Sequence, residues 1–162
     1  MDSIKRNALI LAAFPMTGKL VGYATDVSAS SSQTFFILLH ILLLLVGVFL
    51  TLRLQPSQNS FLEDVKMGMK TVGLYSISNA LFLYIFYKFI DVTYFATKIA
   101  DMVDKTDLSA ARKTAEEVSA TYETFFTAFN WSTLSLVAWM VMGLIYTVLL
   151  TLLHRKVLRK FQ

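Results

Sequence analysis

The stretch LSAARKTAEEVSATYETFFTAFNWSTLSLVAWMVMGLIYTVLLTLLHRKVLRK, residues 108–160, decides the fold. It holds neither Gly nor Pro between Leu108 and Met142, and Gly143 is the one glycine after that. The pattern predicts one continuous helix in two parts. In the first part, apolar residues stand at Leu108, Ala111, Ala115, Val118, Tyr122, Phe125 and Phe129, in steps that alternate three and four. Those steps are the seam of a helix lying against a partner helix. In the second part, Thr124 to Leu153 carries no formal charge. A bilayer crossing needs about twenty such residues. The run closes with His154-Arg155-Lys156-Val157-Leu158-Arg159-Lys160, which reads as a cytoplasmic stop.

The rest of the chain has the same character. Of 162 residues 56% are hydrophobic and 16% charged, against about 25% charged in soluble domains. This is the composition of an integral membrane protein, and the length suits a single domain, residues 1–162. The absence of Cys removes disulfides and thiolate metal sites.

Four spans are predicted, at about 8–27, 35–53, 71–91 and 125–153. Phe35 to Leu52 is the clearest, with His40 its one ionisable residue, and it covers about 27 Å. Gln55 to Ser60 is a turn. Ser60 and Glu63 have capping-box spacing, so a helix should start at Phe61. Its span begins at Thr71, with Gly73, Ser76 and Ala80 as a small-residue stripe for helix packing. The first segment is the weakest, because it contains Pro15, Gly18, Lys19 and Gly22. Two readings of it stand, a cleaved signal peptide or a retained helix. Lys19 and Asp26 lie between the apolar run and the Val27-Ser28-Ala29 cleavage pattern, which favours a retained helix. Gly18 and Gly22 then form a face that another helix can approach closely.

Between the third and fourth spans, Val92, Phe95, Ile99 and Met102 repeat the three-four steps. Asp104-Lys105-Thr106-Asp107 can turn, with Thr106 or Asp107 capping the next helix. The two seams, Val92, Phe95, Ile99, Met102 and Leu108, Ala111, Ala115, Val118, Tyr122, therefore predict an antiparallel helical hairpin over about 92–124. The expected fold is all-α: a four-helix antiparallel membrane bundle with an outward hairpin.

Charge orients it. Lys5, Arg6, Arg53, Lys66, Lys70, Arg155, Lys156, Arg159 and Lys160 fall on one side with few acids. The loop from Asp91 to Glu123 is net negative. The positive-inside rule puts both termini in the cytoplasm and the hairpin outside.

Several residues carry a family resemblance. Tyr94-Phe95, Ile99 and Val103, a polar turn, Glu116-Glu117, Phe129-Asn130 and a last span holding Gly143 resemble domain-of-unknown-function family number four-one-nine-nine. Asp64-Val65-Lys66-Met67-Gly68 before the third span is similar to its polar-x-x-Gly pattern. The turn here departs from the family in lacking a Gly before Lys105 and in being longer. The resemblance covers Phe61 to Lys156 best. It implies a small four-helix protein of the bacterial inner membrane, typical of Bacteroidota, and supplies no catalytic residues.

No chemistry of a known enzyme class is legible. His40 and His154 are too far apart for a helical zinc pair, and no phosphate loop or nucleophile elbow occurs, so no catalytic residue, metal or cofactor is expected. The basic residues are divided among separate segments, which argues against nucleic acid. One constellation remains: Lys19, His40, Lys88 and Asn130 fall at similar depth in the outer half of the membrane, with Asp26 and Asp91 at its rim, where Asp91 can pair with Lys88 three residues before it. Ionisable groups there are functional candidates, although lysines near helix ends also snorkel. The expected function is a non-enzymatic membrane subunit or scaffold whose hairpin docks a partner, with the bilayer and a second copy as further partners. The rival is a small transporter or channel for an anionic solute that uses this polar layer.

Overall fold

The computed structural model describes residues 3–25, 29–55, 59–108 and 114–156. Most of these residues are helical, with no strand among them. The helices are α1 (Ser3–Ala24), α2 (Ala29–Arg53), α3 (Phe61–Ile85), α4 (Tyr94–Asp104), α5 (Ala115–Phe125) and α6 (Ala128–Lys156), and a π-helical turn, Phe86–Ile90, continues α3. Three stretches are long and apolar enough to cross a membrane: Thr34–Arg53, Phe61–Ile90 and Ala128–Lys156. The first helix, expected as a fourth span, is not among them. Pro15 lies inside α1 and is buried, and Ile4, Ala8 and Ala12 share its buried face at helical spacing.

The chain forms two compact units, Met1–Asn79 with Leu136–Gln162, and Ala80–Ser135. In the first unit the core is built by Ala12 of α1, Leu43, Leu44, Val48 and Leu52 of α2, and Val72 and Tyr75 of α3. Trp139, Met140, Tyr146 and Leu150 of α6 pack against it. Helix α3 starts where the capping box predicts: the Ser60 N–H donates to Glu63 Oε2 at 2.6 Å, and the Glu63 N–H donates to Ser60 Oγ at 3.3 Å.

Glycine lets α3 and α6 come together. A Cβ at Gly68 would lie 2.5 Å from Thr147 Cγ2, and one at Gly143 would lie 2.7 Å from Val72 Cγ2. Each glycine thus receives a β-branched side chain from the other helix, and that side chain sits four residues from its own helix's glycine. The notch in α3 is therefore Gly68 and not the expected Gly73, which faces open space. The buried face of α3 runs through Asp64, Val72, Tyr75 and Asn79, and Gly73 lies off it. Ser76 and Ala80 are buried as expected for packing. On α1, a Cβ at Gly18 would sit 3.1 Å from Phe36 Cε1, whereas Gly22 has nothing within 4 Å. Gly22 is therefore not part of a close helix approach.

The second unit corrects the expected helix run twice. The long helix is broken at Phe126–Thr127, between α5 and α6. The Phe126 N–H still bonds to the Tyr122 carbonyl at 2.8 Å, but ψ at Phe126 turns to 74°. Thr127 then caps α6, its Oγ1 accepting from the Asn130 N–H at 3.1 Å. A threonine hydroxyl that can satisfy a free helix N–H competes with helix continuation. After the break Phe126 turns toward Trp131, while Phe125 and Phe129 are 67% and 66% exposed and leave the seam.

The second correction lies after α3. The Asp91 N–H bonds to the Phe86 carbonyl at 2.9 Å, an i to i−5 bond that closes the π turn. Such a turn adds a residue and shifts the helical register. Residues 91–93 then leave the helix, and Val92, expected in the seam, is 63% exposed.

Candidate functional site

Helices α4 and α5 pack as a pair. Phe95 and Ile99 from α4 and Val118 from α5 are buried in the seam. Met102, Leu108, Ala115 and Tyr122 are half-buried, and Ala111 lies outside the described residues. The Thr106 and Tyr122 hydroxyls meet at 3.3 Å and tie the two helices. The Thr106 hydroxyl also donates to the Met102 carbonyl at 2.7 Å, so it finishes α4. The cap of α5 is Thr114. Its hydroxyl accepts from the Glu117 N–H and the Glu117 carboxylate accepts from the Thr114 N–H, a complete capping box. The Thr-x-x-Glu spacing was in the sequence; the cap expected at Thr106 or Asp107 precedes helical Leu108, and residues 109–113 lie outside the described residues. The Glu116 carboxyl, in the same first turn, is held below its usual range by its own backbone N–H and by the Thr114 hydroxyl.

Along the hairpin runs a shallow groove of about 360 Å³, lined by Phe95, Ala96, Ile99, Ala100, Ser119, Glu123 and Phe126. Ala96, Ala100 and Ser119 keep its walls low. Ser119 donates to Glu123 at 3.2 Å, so the carboxylate is held at the groove wall. The base of the hairpin is an aromatic cluster. Phe86, Tyr87 and Phe95 are buried in it, with Phe82, Tyr94, Phe126 and Trp131 packed around them. The Tyr87 and Tyr94 rings lie 4.5 Å apart and the Tyr87 and Phe95 rings 5.1 Å apart. Such pairs add about 0.5–1.5 kcal/mol each beyond area burial. Phe86 and Tyr87, the first two residues of the π turn, both enter this cluster, with their rings 5.3 Å apart. Burial pushes the Tyr94 phenol up, a hydrogen bond with Tyr87 acts against this, and Asp91 adds to the rise.

The residues expected in the polar layer and at its rim do different things. Lys88 is exposed, donates to the Tyr84 hydroxyl at 2.7 Å and lies over the Tyr84 and Phe89 rings. It makes no ion pair with Asp91 among the described residues, because the π turn disrupts the three-residue spacing that would have aligned them. The Asp91 backbone closes that turn. The Asn130 side chain donates to the Thr124 carbonyl at 3.0 Å, bridging the break between α5 and α6. Lys19 is half-buried on α1. Asp26, expected at the rim of the same helix, lies outside the described residues. His40 enters a helix interface: its Nδ1 shares a 2.6 Å hydrogen bond with the Tyr75 hydroxyl, and its ring stacks on Trp139 at 4.3 Å.

His40 belongs to a buried polar column in the first unit that sequence reasoning missed. On α3 the column comprises Asp64, Thr71, Tyr75 and Asn79, about 22 Å along the helix. Thr51 of α2 and Thr147, Thr151 and His154 of α6 are buried with them. The Thr51 and Thr71 hydroxyls meet at 2.6 Å, and Thr51 and Thr147 also donate back to the Gly47 and Gly143 carbonyls. Asn79 donates to the Tyr75 carbonyl at 2.9 Å. Ser76 Oγ and Thr151 Oγ1 are buried without a hydrogen-bond partner among the described residues. At the end of the column Arg155 Nε bonds to Asp64 Oδ2 at 2.9 Å, with Asp64 only 1% exposed, and Arg155 Nη2 donates to the Asn59 carbonyl. The sequence signal was the four-residue spacing of Thr71, Tyr75 and Asn79 and of Thr147 and Thr151. Among the described residues no group of three metal-ligating side chains converges.

The family model described as "Protein of unknown function (DUF4199)" matches residues 6–156. The match includes α1 from its second turn, beyond the stretch where the resemblance was strongest. No curated protein and no solved structure matches the chain.

Proposed function

The chain belongs to the DUF4199 family of proteins of unknown function, which hands down no activity, and from the geometry we propose a non-enzymatic multi-pass membrane protein that acts as a subunit or scaffold. In this reading α1 joins the three apolar helices as a fourth span of an antiparallel bundle in a bacterial inner membrane. Both termini are cytoplasmic and the α4–α5 hairpin stands outside. The carrying observation is the open groove of the hairpin, apolar at Phe95, Ile99 and Phe126 and polar at Ser119 and Glu123. Low alanine walls beside an apolar floor suit a docked peptide segment or helix from another protein. The core of the other unit is filled by large side chains such as Tyr75, Leu44 and Leu52, which favours a scaffold over a conduit. The anionic-solute reading draws less support, because Lys88 is turned to Tyr84 and exposed.

The test is a photo-crosslinking amino acid at Ala100, in the groove, and at Asp101, on the outer face. A discrete adduct from position 100, absent from 101 and abolished by Ser119→Trp, supports docking. An adduct of twice the chain mass identifies a second copy as the occupant. Equal labelling at both positions, or none, overturns the reading.

A further inference from the structure

At the end of the first unit opposite His40, a second depression of about 260 Å³ is lined by Gln55, Asn59, Glu63, Lys66, Met67 and Lys70. We propose that it holds the phosphate of an anionic phospholipid headgroup. Lys66 and Lys70 lie four apart on one face of α3, both are exposed, and neither forms an ion pair among the described residues. Glu63 is the one acid in the lining, and its carboxylate already accepts from the Ser60 N–H. The Asn59 carbonyl accepts from Arg155, the Asn59 side chain donates to Gln55 Oε1 at 3.4 Å, and Gln55 Nε2 donates to the Thr51 carbonyl at 3.2 Å. Two lysines against one carboxylate make the lining net positive, which suits a phosphate.

Depth selects a lipid over a free ion. The Phe61–Ile90 stretch is 30 residues, about 45 Å as a helix, against a hydrocarbon thickness of about 30 Å. The uncharged part starts at Thr71, so the excess is Phe61–Lys70, which lies at headgroup level. Basic pockets at helix ends are a recurring mode of anionic lipid recognition.

The full chain is placed in phosphatidylcholine nanodiscs, with and without phosphatidylglycerol, and retained lipid is counted by native mass spectrometry. Wild type should retain phosphatidylglycerol selectively. Lys66→Gln/Lys70→Gln should lose it by about thirtyfold, and Lys98→Gln on the hairpin should not. If the double variant does not fold, Lys66→Gln alone is measured and should lose about fivefold. Equal retention by wild type and variant overturns the proposal. So does displacement of the lipid by millimolar inorganic phosphate with equal binding of phosphate in pure phosphatidylcholine, which identifies a soluble anion site. The inference rests on Phe61–Ile90 crossing a bilayer. Failure to enter neutral nanodiscs would sink that reading, whereas entry without lipid preference sinks the pocket alone.

Discussion

Gly143 of α6 faces Val72 of α3 so closely that an added methyl would overlap the valine's branched side chain. Val72 is fully buried, and its β-branched side chain is stiff. Gly143→Ala should therefore destabilise by about 1–3 kcal/mol, while Gly73→Ala, facing open space, should be neutral or slightly stabilising through helix propensity. Thermal unfolding in detergent checks the pair. Equal effects at the two positions would refute the close approach of α3 and α6.

The His40–Tyr75 bond holds a phenol that is 1% exposed. His40→Phe can keep the stack on Trp139 but strands the hydroxyl, at a cost of about 1–3 kcal/mol. Adding Tyr75→Phe should recover most of that loss. A double-variant cycle without recovery would show that the hydroxyl has another partner.

Asp64 and Arg155 join the start of α3 to the end of α6. Asp64→Asn should cost about 3–5 kcal/mol, because it leaves a partly buried guanidinium without its counter-charge. Asp64→Leu combined with Arg155→Met should be milder than Asp64→Asn alone. The reverse order would mean that the pair adds more than the charges cost to bury.

The hairpin seam is tested by three substitutions. Val118→Asp places a charge at a buried position and should cost about 1–3 kcal/mol. Thr114→Ala removes the cap of α5 and should cost about 1 kcal/mol. Val92→Asp, at an exposed turn, should stay within about 0.5 kcal/mol. Helicity and proteolysis of the hairpin are the readouts.

The proposed orientation rests on charge alone. Cys at Asp104 should react with an impermeant thiol reagent on intact cells, and Cys at Leu62 only after permeabilisation. Labelling in the opposite order would reverse the proposed orientation.

Composition and spacing were enough for the all-helical class, for the three apolar helices, for the Ser60–Glu63 helix start and for the Phe95, Ile99 and Val118 seam. These rest on local rules: a bilayer needs a minimum apolar length, a cap needs a three-residue spacing, and a seam needs steps of three and four. The break at Phe126–Thr127, the π turn at Phe86–Ile90 and the exposure of Val92 were settled by tertiary structure. There, packing of the aromatic cluster around Tyr87, Phe95 and Trp131 competes with the regular hydrogen-bond ladder, and helix propensity does not contain that competition. The polar column was half-legible. Thr71, Tyr75 and Asn79 share a face by spacing, but whether that face meets lipid or another helix depends on where Gly68 and Gly143 let α3 and α6 close. Burial decides whether a hydroxyl is idle or a link between helices, and burial belongs to the packed molecule rather than to the chain.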